Sequence, residues 1–305
     1  MENFSFRPAT LNDIDTIHQL ITKQNILDFG EPLRTVEDIQ RIWSGPNFDL
    51  GLDSLIAVSS DGQIAGYAEL RDKEDVSVYL ANHFRDANLS EHLLGLMEDR
   101  ARSQKTDAKS VELWGRVGYR NQVLIDTFDT NGYKSDISFL IMEIVMTEQL
   151  QAPTWPNGIT VRAFVINQDE KATYQADEEA GKDKGYHDPL SYEKWAKRMG
   201  MDGKTFDPGI WFIACEKNEI AGVALNVIGK SAPVGWVDHL SVRRTWRNKG
   251  IGKALLLHTF GEFFKRGIHT VKLSVDSKSL TNAPRLYEGV GMKTAEKYHI
   301  YKKVL

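Results

Sequence analysis

The stretch Val242-Arg-Arg-Thr-Trp-Arg-Asn-Lys-Gly-Ile-Gly-Lys-Ala-Leu255 governs the reading of the whole chain. The apolar, β-branched run over 236–242 predicts a strand. Ile251, Leu255, Leu256, Thr259 and Phe263 share one face at a 3.6-residue period and predict an amphipathic helix over 250–266. The loop therefore runs from a strand into a helix. Gly250 and Gly252 let the backbone come close to a ligand, and the free N–H groups of the first helical turn, with the helix dipole behind them, form an anion site. Arg243, Arg244, Arg247, Lys249 and Lys253 add positive charge, and no acid interrupts them along the sequence. A phosphate or pyrophosphate is the expected ligand. A Walker loop would need glycine at Arg247 and Ser or Thr at Ala254, and a dinucleotide fingerprint would need glycine at Leu255, so neither NTP nor NAD is favoured.

Around this loop the pattern gives a hairpin over 211–215 and 220–228, a strand over 270–275, a short helix over 284–288 and a last strand over 298–304. A meander ahead of the main helix predicts an α/β (α+β) three-layer domain. The same order of landmarks occurs earlier in the chain. Phe6-Arg7-Pro8-Ala9 answers Val161-Arg162-Ala163-Phe164, and Ile56-Ala57-Val58 with Ile64-Ala65-Gly66 answers Ile213-Ala214-Cys215 with Ile220-Ala221-Gly222. Phe84-Arg85 and Leu93-Leu94 fall without gaps on Trp246-Arg247 and Leu255-Leu256, and Gly132-Tyr133-Lys134 on Gly291-Met292-Lys293. Asp61-Gly62 supplies left-handed turn chemistry in the first hairpin and Asn218 in the second. The stretch over 151–158, with two prolines and a glycine, reads as a linker. The chain is thus expected to hold two copies of one domain, at 1–150 and 158–305, in keeping with its 305 residues.

Composition narrows the function. With 41% hydrophobic and 26% charged residues the chain has enough apolar material for two cores. A net charge of −4 argues against nucleic acid or an anionic membrane as partner. One cysteine, Cys215, precludes an internal disulfide framework and a cysteine metal cluster; no metal site is expected. The start MENFSFRPATLNDID has neither a basic nor an apolar leader region, so a soluble, cytoplasmic protein is expected.

Beyond the loop lies Val275-Asp-Ser-Lys-Ser-Leu-Thr-Asn-Ala-Pro-Arg-Leu-Tyr-Glu-Gly-Val-Gly-Met292. Together, R-x-x-G-x-G at Arg247, Gly250 and Gly252 and A-x-x-L-Y-x-x-x-G-M at Ala283 to Met292 resemble the GNAT superfamily of N-acetyltransferases. The duplication resembles its tandem, mycothiol-synthase-like arrangement: two three-layer domains, each a mixed, mostly antiparallel sheet flanked by helices. The resemblance implies acetyl-CoA as cosubstrate, its pyrophosphate on the amides of Arg247, Asn248, Lys249, Gly250, Ile251, Gly252 and Lys253. It implies pantetheine along the strand ending Leu240-Ser241-Val242, with an N–H near Leu240 polarising the thioester carbonyl. Tyr287 is implied as the acid that protonates the departing thiolate, a task suited to a phenol with an ordinary pKa near 10. The family often places an asparagine seven or eight residues before that tyrosine. Those positions here are Leu280 and Ser279, and the nearby asparagine is Asn282.

The proton taken from the acceptor falls to Asp238 or His239, neighbours on one strand whose side chains should face opposite ways. Tyr186, His187 and Asp188 occur where the family shapes its acceptor pocket, and Asp177, Glu178 and Glu179 read as a solvated helix face. Trp195, Trp211 and Trp236 are expected in the core. In the first copy Asn88 and Ser90 replace the two glycines, Phe128 falls opposite Tyr287, and Asp86 and Glu91 stand where a phosphate would arrive, so that copy is expected to lack the cofactor. The resulting expectation is direct acetyl transfer from acetyl-CoA to the primary amine of a small molecule by a monomer or weak homodimer. The alternative is a CoA-ester-binding regulatory module without turnover.

Overall fold

The computed structural model describes residues 4–104, 110–183, 189–201, 203, 206–229, 233–279 and 283–305, and the structural statements below concern those residues. The elements are, in order, β1 (Ser5–Arg7), α1 (Ile14–Phe29), α2 (Val36–Trp43), β2 (Ser54–Val58), β3 (Ile64–Arg71), β4 (Asp75–Leu80), α3 (Ala87–Ser103), β5 (Glu112–Gly118), α4 (Gln122–Thr130) and β6 (Lys134–Val145). There follow β7 (Ile159–Ala163), α5 (Glu170–Gly181), α6 (Tyr192–Arg198), β8 (Phe212–Glu216), β9 (Glu219–Ile228), β10 (Val234–Val242), α7 (Ile251–Lys265), β11 (Thr270–Asp276), α8 (Ala283–Glu288) and β12 (Lys293–Val304). Two compact units divide the chain: Met1–Leu140 with Glu296–Leu305, and Ile141–Ala295. Strand order is β1-β2-β3-β4-β5-β12-β6 in the first and β6-β11-β10-β9-β8-β7 in the second, with residues of β6 from Ile141 onward belonging to the second.

This partition departs from the linker-based one, because the last strand belongs with the first unit. β12 runs antiparallel to β5 from Tyr298 opposite Gly118 to Val304 opposite Glu112, and Tyr301 packs into the first core near Phe128.

Each unit is layered by the alternation of its strands. In the first, Ile56, Tyr67 and Tyr79 face Ile17 and Ile21 of α1 and Trp43 of α2, while Ala57, Ala68, Val78 and Leu80 face Leu93 and Leu94 of α3. In the second, Ser241 meets α5, whereas Leu240 and Val242 join Ile251 and Leu255 of α7. Trp195 and Trp211 are fully buried.

The internal repeat extends to details. Arg7 pairs with Asp13 through both terminal guanidinium nitrogens, Nη1 and Nη2, and Arg162 does the same with Asp169. After α4 and after α8 a glycine takes positive φ, Gly132 at 81° and Gly291 at 92°. The next N–H then returns to the helix, Tyr133 donating to the Phe128 carbonyl at 3.0 Å and Met292 to that of Tyr287 at 3.1 Å. The hairpin turns differ from expectation in one respect. Gly62 is left-handed as anticipated, but in the second hairpin Lys217 takes positive φ (53°), not Asn218. Pairing of Glu216 with Glu219 leaves a two-residue turn whose first position needs that conformation, and Lys217 occupies it.

Candidate active site

The second unit opens along β10. Its parallel pairing with β11 covers Val234–Trp236 against Thr270–Lys272 and goes no further among the described residues. Against β9 the register is antiparallel, with a shift between Val237 and His239 that marks a bulge at Asp238. Arg243 donates its N–H to the Ala221 carbonyl at 3.0 Å, so by ladder alternation His239 and Ser241 bond toward β9 while Leu240 and Val242 present their backbone groups on the opposite, unpaired edge. The Val242 carbonyl confirms the direction by accepting Arg247 Nε at 2.9 Å.

That edge leads to the entrance of α7. Gly250 is its N-cap with φ 87° and offers no side chain, and the first helical bond is Ala254 N–H to the Gly250 carbonyl at 3.0 Å. The N–H groups of Ile251, Gly252 and Lys253 thus precede the helical ladder, with no side-chain cap. A cavity of about 290 Å³ lies here, bordered by Leu240, Ser241, Val242, the loop from Trp246 onward, and Leu286 and Tyr287 of α8. Of the residues singled out in the sequence, Leu240, Ser241, Val242, Arg247, Asn248, Gly250, Ile251, Gly252, Lys253 and Tyr287 line it; Lys249, Asp238 and His239 do not. Asn282 and the Tyr186, His187, Asp188 segment lie outside the described residues.

The charge around the loop is more balanced than the local sequence implies. Asp183, just beyond α5, accepts from Arg244 and, at 2.5 Å, from Arg247, and these guanidinium donors hold its carboxyl far below the usual range. Arg243 pairs with Glu179 at 2.7 Å and lies over the Trp246 ring. Acids distant in sequence therefore hold three arginines as scaffold. Lys249 and Lys253 pair with no carboxylate among the described residues and remain available to an incoming anion.

On the face of β10 toward α5, the structure builds a feature the sequence hid. Asp177 is 4% exposed, not solvated, and receives three donors: Ser241 Oγ at 2.6 Å, His239 Nδ1 at 2.6 Å and Trp195 Nε1 at 2.9 Å. Burial alone would raise its pKa, but the bonds from His239, Ser241 and Trp195 outweigh that and hold the carboxylate well below its ordinary range. Asp238, on the bulge, is exposed. A burial pattern in α5, with Thr173, Ala176, Asp177 and Ala180 one helical turn apart, was the available signal for Asp177.

The first unit shows the same frame with its groove filled. Among the described residues β4 and β5 pair only at Asp75 and Trp114, a split like that of β10 and β11. Into it α1 projects Gln24, whose Nε2 donates to the Val78 carbonyl at 3.0 Å and whose Oε1 accepts the Leu80 N–H at 2.9 Å. By the gap-free repeat these two positions match Leu240 and Val242. At the α3 entrance Asp86 caps the helix, accepting from the N–H groups of Asn88 (2.7 Å) and Leu89 (3.3 Å). Ser90, matching Gly252, bonds Thr127 through its hydroxyl at 2.5 Å, and Phe128, matching Tyr287, is buried in the core.

A mixed sheet layered by helices, with a split parallel strand pair beside a helix entrance, occurs in both units and defines a tandem acyltransferase fold; in the second unit that entrance is uncapped and glycine-bearing, and in the first it is capped by Asp86. Comparison with known proteins agrees. The acetyltransferase (GNAT) family matches residues 168–292. A GCN5-related N-acetyltransferase from Sphaerobacter thermophilus is 32% identical and superposes with a TM-score of 0.82 over 99% of this chain and 95% of that one. A mycothiol acetyltransferase from Thermobispora bispora is 28% identical over 256 residues, 82% of each protein. A tandem GNAT protein from the clavulanic acid biosynthesis pathway, at 14% identity and a TM-score of 0.73, shares the fold over 99% of this chain and 98% of its own. The chain belongs to the GCN5-related N-acetyltransferase family and is an N-acetyltransferase, transferring an acetyl group to an amine.

Proposed function

We propose that the second unit alone binds acetyl-CoA and transfers its acetyl group directly to the primary amine of a small molecule. The observation that carries this reading is the contrast between the two grooves. In the first unit a carboxamide, Gln24, occupies the strand edge and a carboxylate, Asp86, occupies the helix entrance. An amide-bearing arm ending in phosphates is the ligand that matches both of those groups at once. In the second unit the corresponding Leu240 carbonyl and Val242 N–H, and the corresponding amides of Ile251 to Lys253, carry no such internal partner among the described residues, although the Val242 carbonyl accepts from Arg247. The donor set fits CoA: an amide for the edge, anionic oxygen for the uncapped N–H groups, and Lys249 and Lys253 for the remaining charge.

Within this reading Leu240 directs its N–H to the thioester carbonyl and stabilises the oxyanion that forms as the amine attacks. Tyr287 lines the same cavity and is the acid for the sulfur that leaves. Mycothiol acetyltransferases among the relatives support a small-molecule acceptor, and the lone, buried Cys215 suits the reducing cytoplasm. Among the described residues no helix is long and apolar enough to cross a membrane. The test is release of free CoA from acetyl-CoA with an alkylamine, an amino sugar, an amino-acid ester and a polyamine, for wild type and Tyr287→Phe. Turnover with at least one amine, reduced about 10²-fold or more in the variant at unchanged acetyl-CoA affinity, is the expected result. No release with any amine, or equal rates, would contradict it.

A further inference from the structure

An acetyl transfer to an amine needs a group that accepts the proton the nitrogen sheds, and the residues of β10 and α5 supply one. Asp177 is an ionised, buried carboxylate and can only accept hydrogen bonds. The 2.6 Å contact to His239 Nδ1 is therefore a donation from the ring, which fixes the neutral tautomer with its hydrogen on Nδ1 and its lone pair on Nε2. Ser241 Oγ and Trp195 Nε1 fill further acceptor sites of Asp177 and stop the carboxylate from turning. The His239 side chain retains 18% exposure, and its Nε2 has no hydrogen-bond partner among the described residues. The Asp238 bulge sets the register that brings both His239 and Ser241 onto Asp177, two residues apart on one face. His239 is not in the cavity lining itself; it stands on the α5 face of β10, next in sequence to Leu240, the residue whose edge meets the thioester in the function proposed above.

From this geometry we infer that His239 Nε2 is the proton acceptor for the attacking amine and that Asp177 is its positioning residue. This rests on the transferase reading. The acceptor enters as the neutral amine. As the N–C bond forms, the nitrogen becomes acidic and one N–H proton passes to His239 Nε2. The C–S bond then breaks, its electron pair leaves on sulfur, and the Tyr287 hydroxyl supplies the proton that makes the free thiol. Transfer of the imidazolium proton through solvent to the Tyr287 oxygen restores both residues, so the sum is amine plus thioester to amide plus thiol. Among the described residues, Asp177 from α5 is the charged group bonded to the ring and Asp238 is its neighbour on β10; from β9 the residue opposite is the apolar Leu225. An exposed Asp238 contributes a screened, weaker influence than the buried Asp177 in direct contact.

The test uses the full chain, acetyl-CoA and whichever amine of the panel gives the fastest CoA release. His239→Gln and His239→Ala are expected to lower kcat about 10²-fold or more while leaving acetyl-CoA affinity, measured by calorimetry, within about two-fold. Added imidazole is expected to restore part of the His239→Ala rate. Asp177→Asn presents an amide that can donate to Nδ1 and so stabilise the other tautomer. It should depress kcat while acetyl-CoA still binds, and should displace the acid limb of the kcat pH profile, which mere loosening of α5 would not do. If Asp177→Asn proves unstable, the His239 pair still decides, because that side chain is partly exposed and its truncation leaves the core filled. His239 variants at wild-type rate, or an Asp177→Asn loss with an unmoved pH profile, would overturn the inference. Failure of the wild type to bind acetyl-CoA would instead refute the transferase reading beneath it.

Discussion

The two loop glycines separate stability from ligand grip: alanine at Gly250 should lower the melting temperature and alanine at Gly252 should not, while both should lose binding to a similar extent. Gly250 has φ 87°, and a Cβ there would meet nothing within 4 Å, so the cost of Gly250→Ala is conformational alone. Left-handed backbone costs an L-residue roughly 1–2 kcal/mol. For a protein with units near 150 residues that is a fall in melting temperature of a few degrees. Gly252 lies inside α7 without positive φ, and its Cβ would come within 3.2 Å of Leu286 Cδ2, the end of a side chain that can yield by a few tenths of an ångström. Alanine's helix preference is worth up to about 1 kcal/mol, so Gly252→Ala should melt at or slightly above wild type. In the function proposed above, both methyl groups nevertheless stand beside the main-chain N–H groups that receive the phosphate. Losing one charge-assisted bond of about 1.5–3 kcal/mol weakens acetyl-CoA binding roughly 10- to 100-fold. Differential scanning fluorimetry and titration calorimetry read the two effects separately. If Gly252→Ala binds acetyl-CoA as wild type does, or Gly250→Ala melts unchanged, the account of the loop is wrong.

Other residues yield further expectations. Gln24→Leu leaves the Val78 carbonyl and the Leu80 N–H without their partner and should cost about 1–3 kcal/mol in denaturant unfolding. It should not create a second acetyl-CoA site in titration, because Asp86 still caps α3. Asp28, whose carboxyl burial raises to about 6 against a bond from Asn121 that lowers it, binds its proton more tightly folded than unfolded. Its contribution to stability is therefore present in acid and lost as pH rises from about 4 through 6. Asp28→Asn should flatten that part of the stability profile measured by urea unfolding between pH 4 and 7. A steeper profile in the variant would refute the assignment.

How much was legible depended on whether a signal was local. The strand-to-helix loop was readable because two glycines, a basic flank and a helical stripe all occur within the 22 residues 242–263, and the structure lines one cavity with most of the loop. The strands and helices whose bounds the pattern predicts in the second copy begin and end within a few residues of the observed ones, except that β12 starts at Lys293; for β7, α5 and α6 it predicts no bounds. What escaped was set by contacts between residues distant in sequence. Asp177 belongs to a run of acids that looks solvated, and only the approach of β10 buries it and gives it three donors. Asp183 and Glu179 neutralise arginines more than 60 residues away, which the acid-free loop concealed. The bulge at Asp238 has no residue signature, and Gln24 reads as an ordinary helix position until β4 and β5 part to receive it. The assignment of β12 to the first unit was out of reach for the same reason: a strand's partner is not written in the strand.

The most direct test of the central claim is the stoichiometry of acetyl-CoA binding to the full chain, measured by calorimetry and by native mass spectrometry. One molecule per chain, abolished or weakened by Gly252→Ala and unaffected by Asp86→Ala, is the predicted result. Two molecules per chain, or a single site that responds to Asp86→Ala and ignores Gly252→Ala, would contradict it.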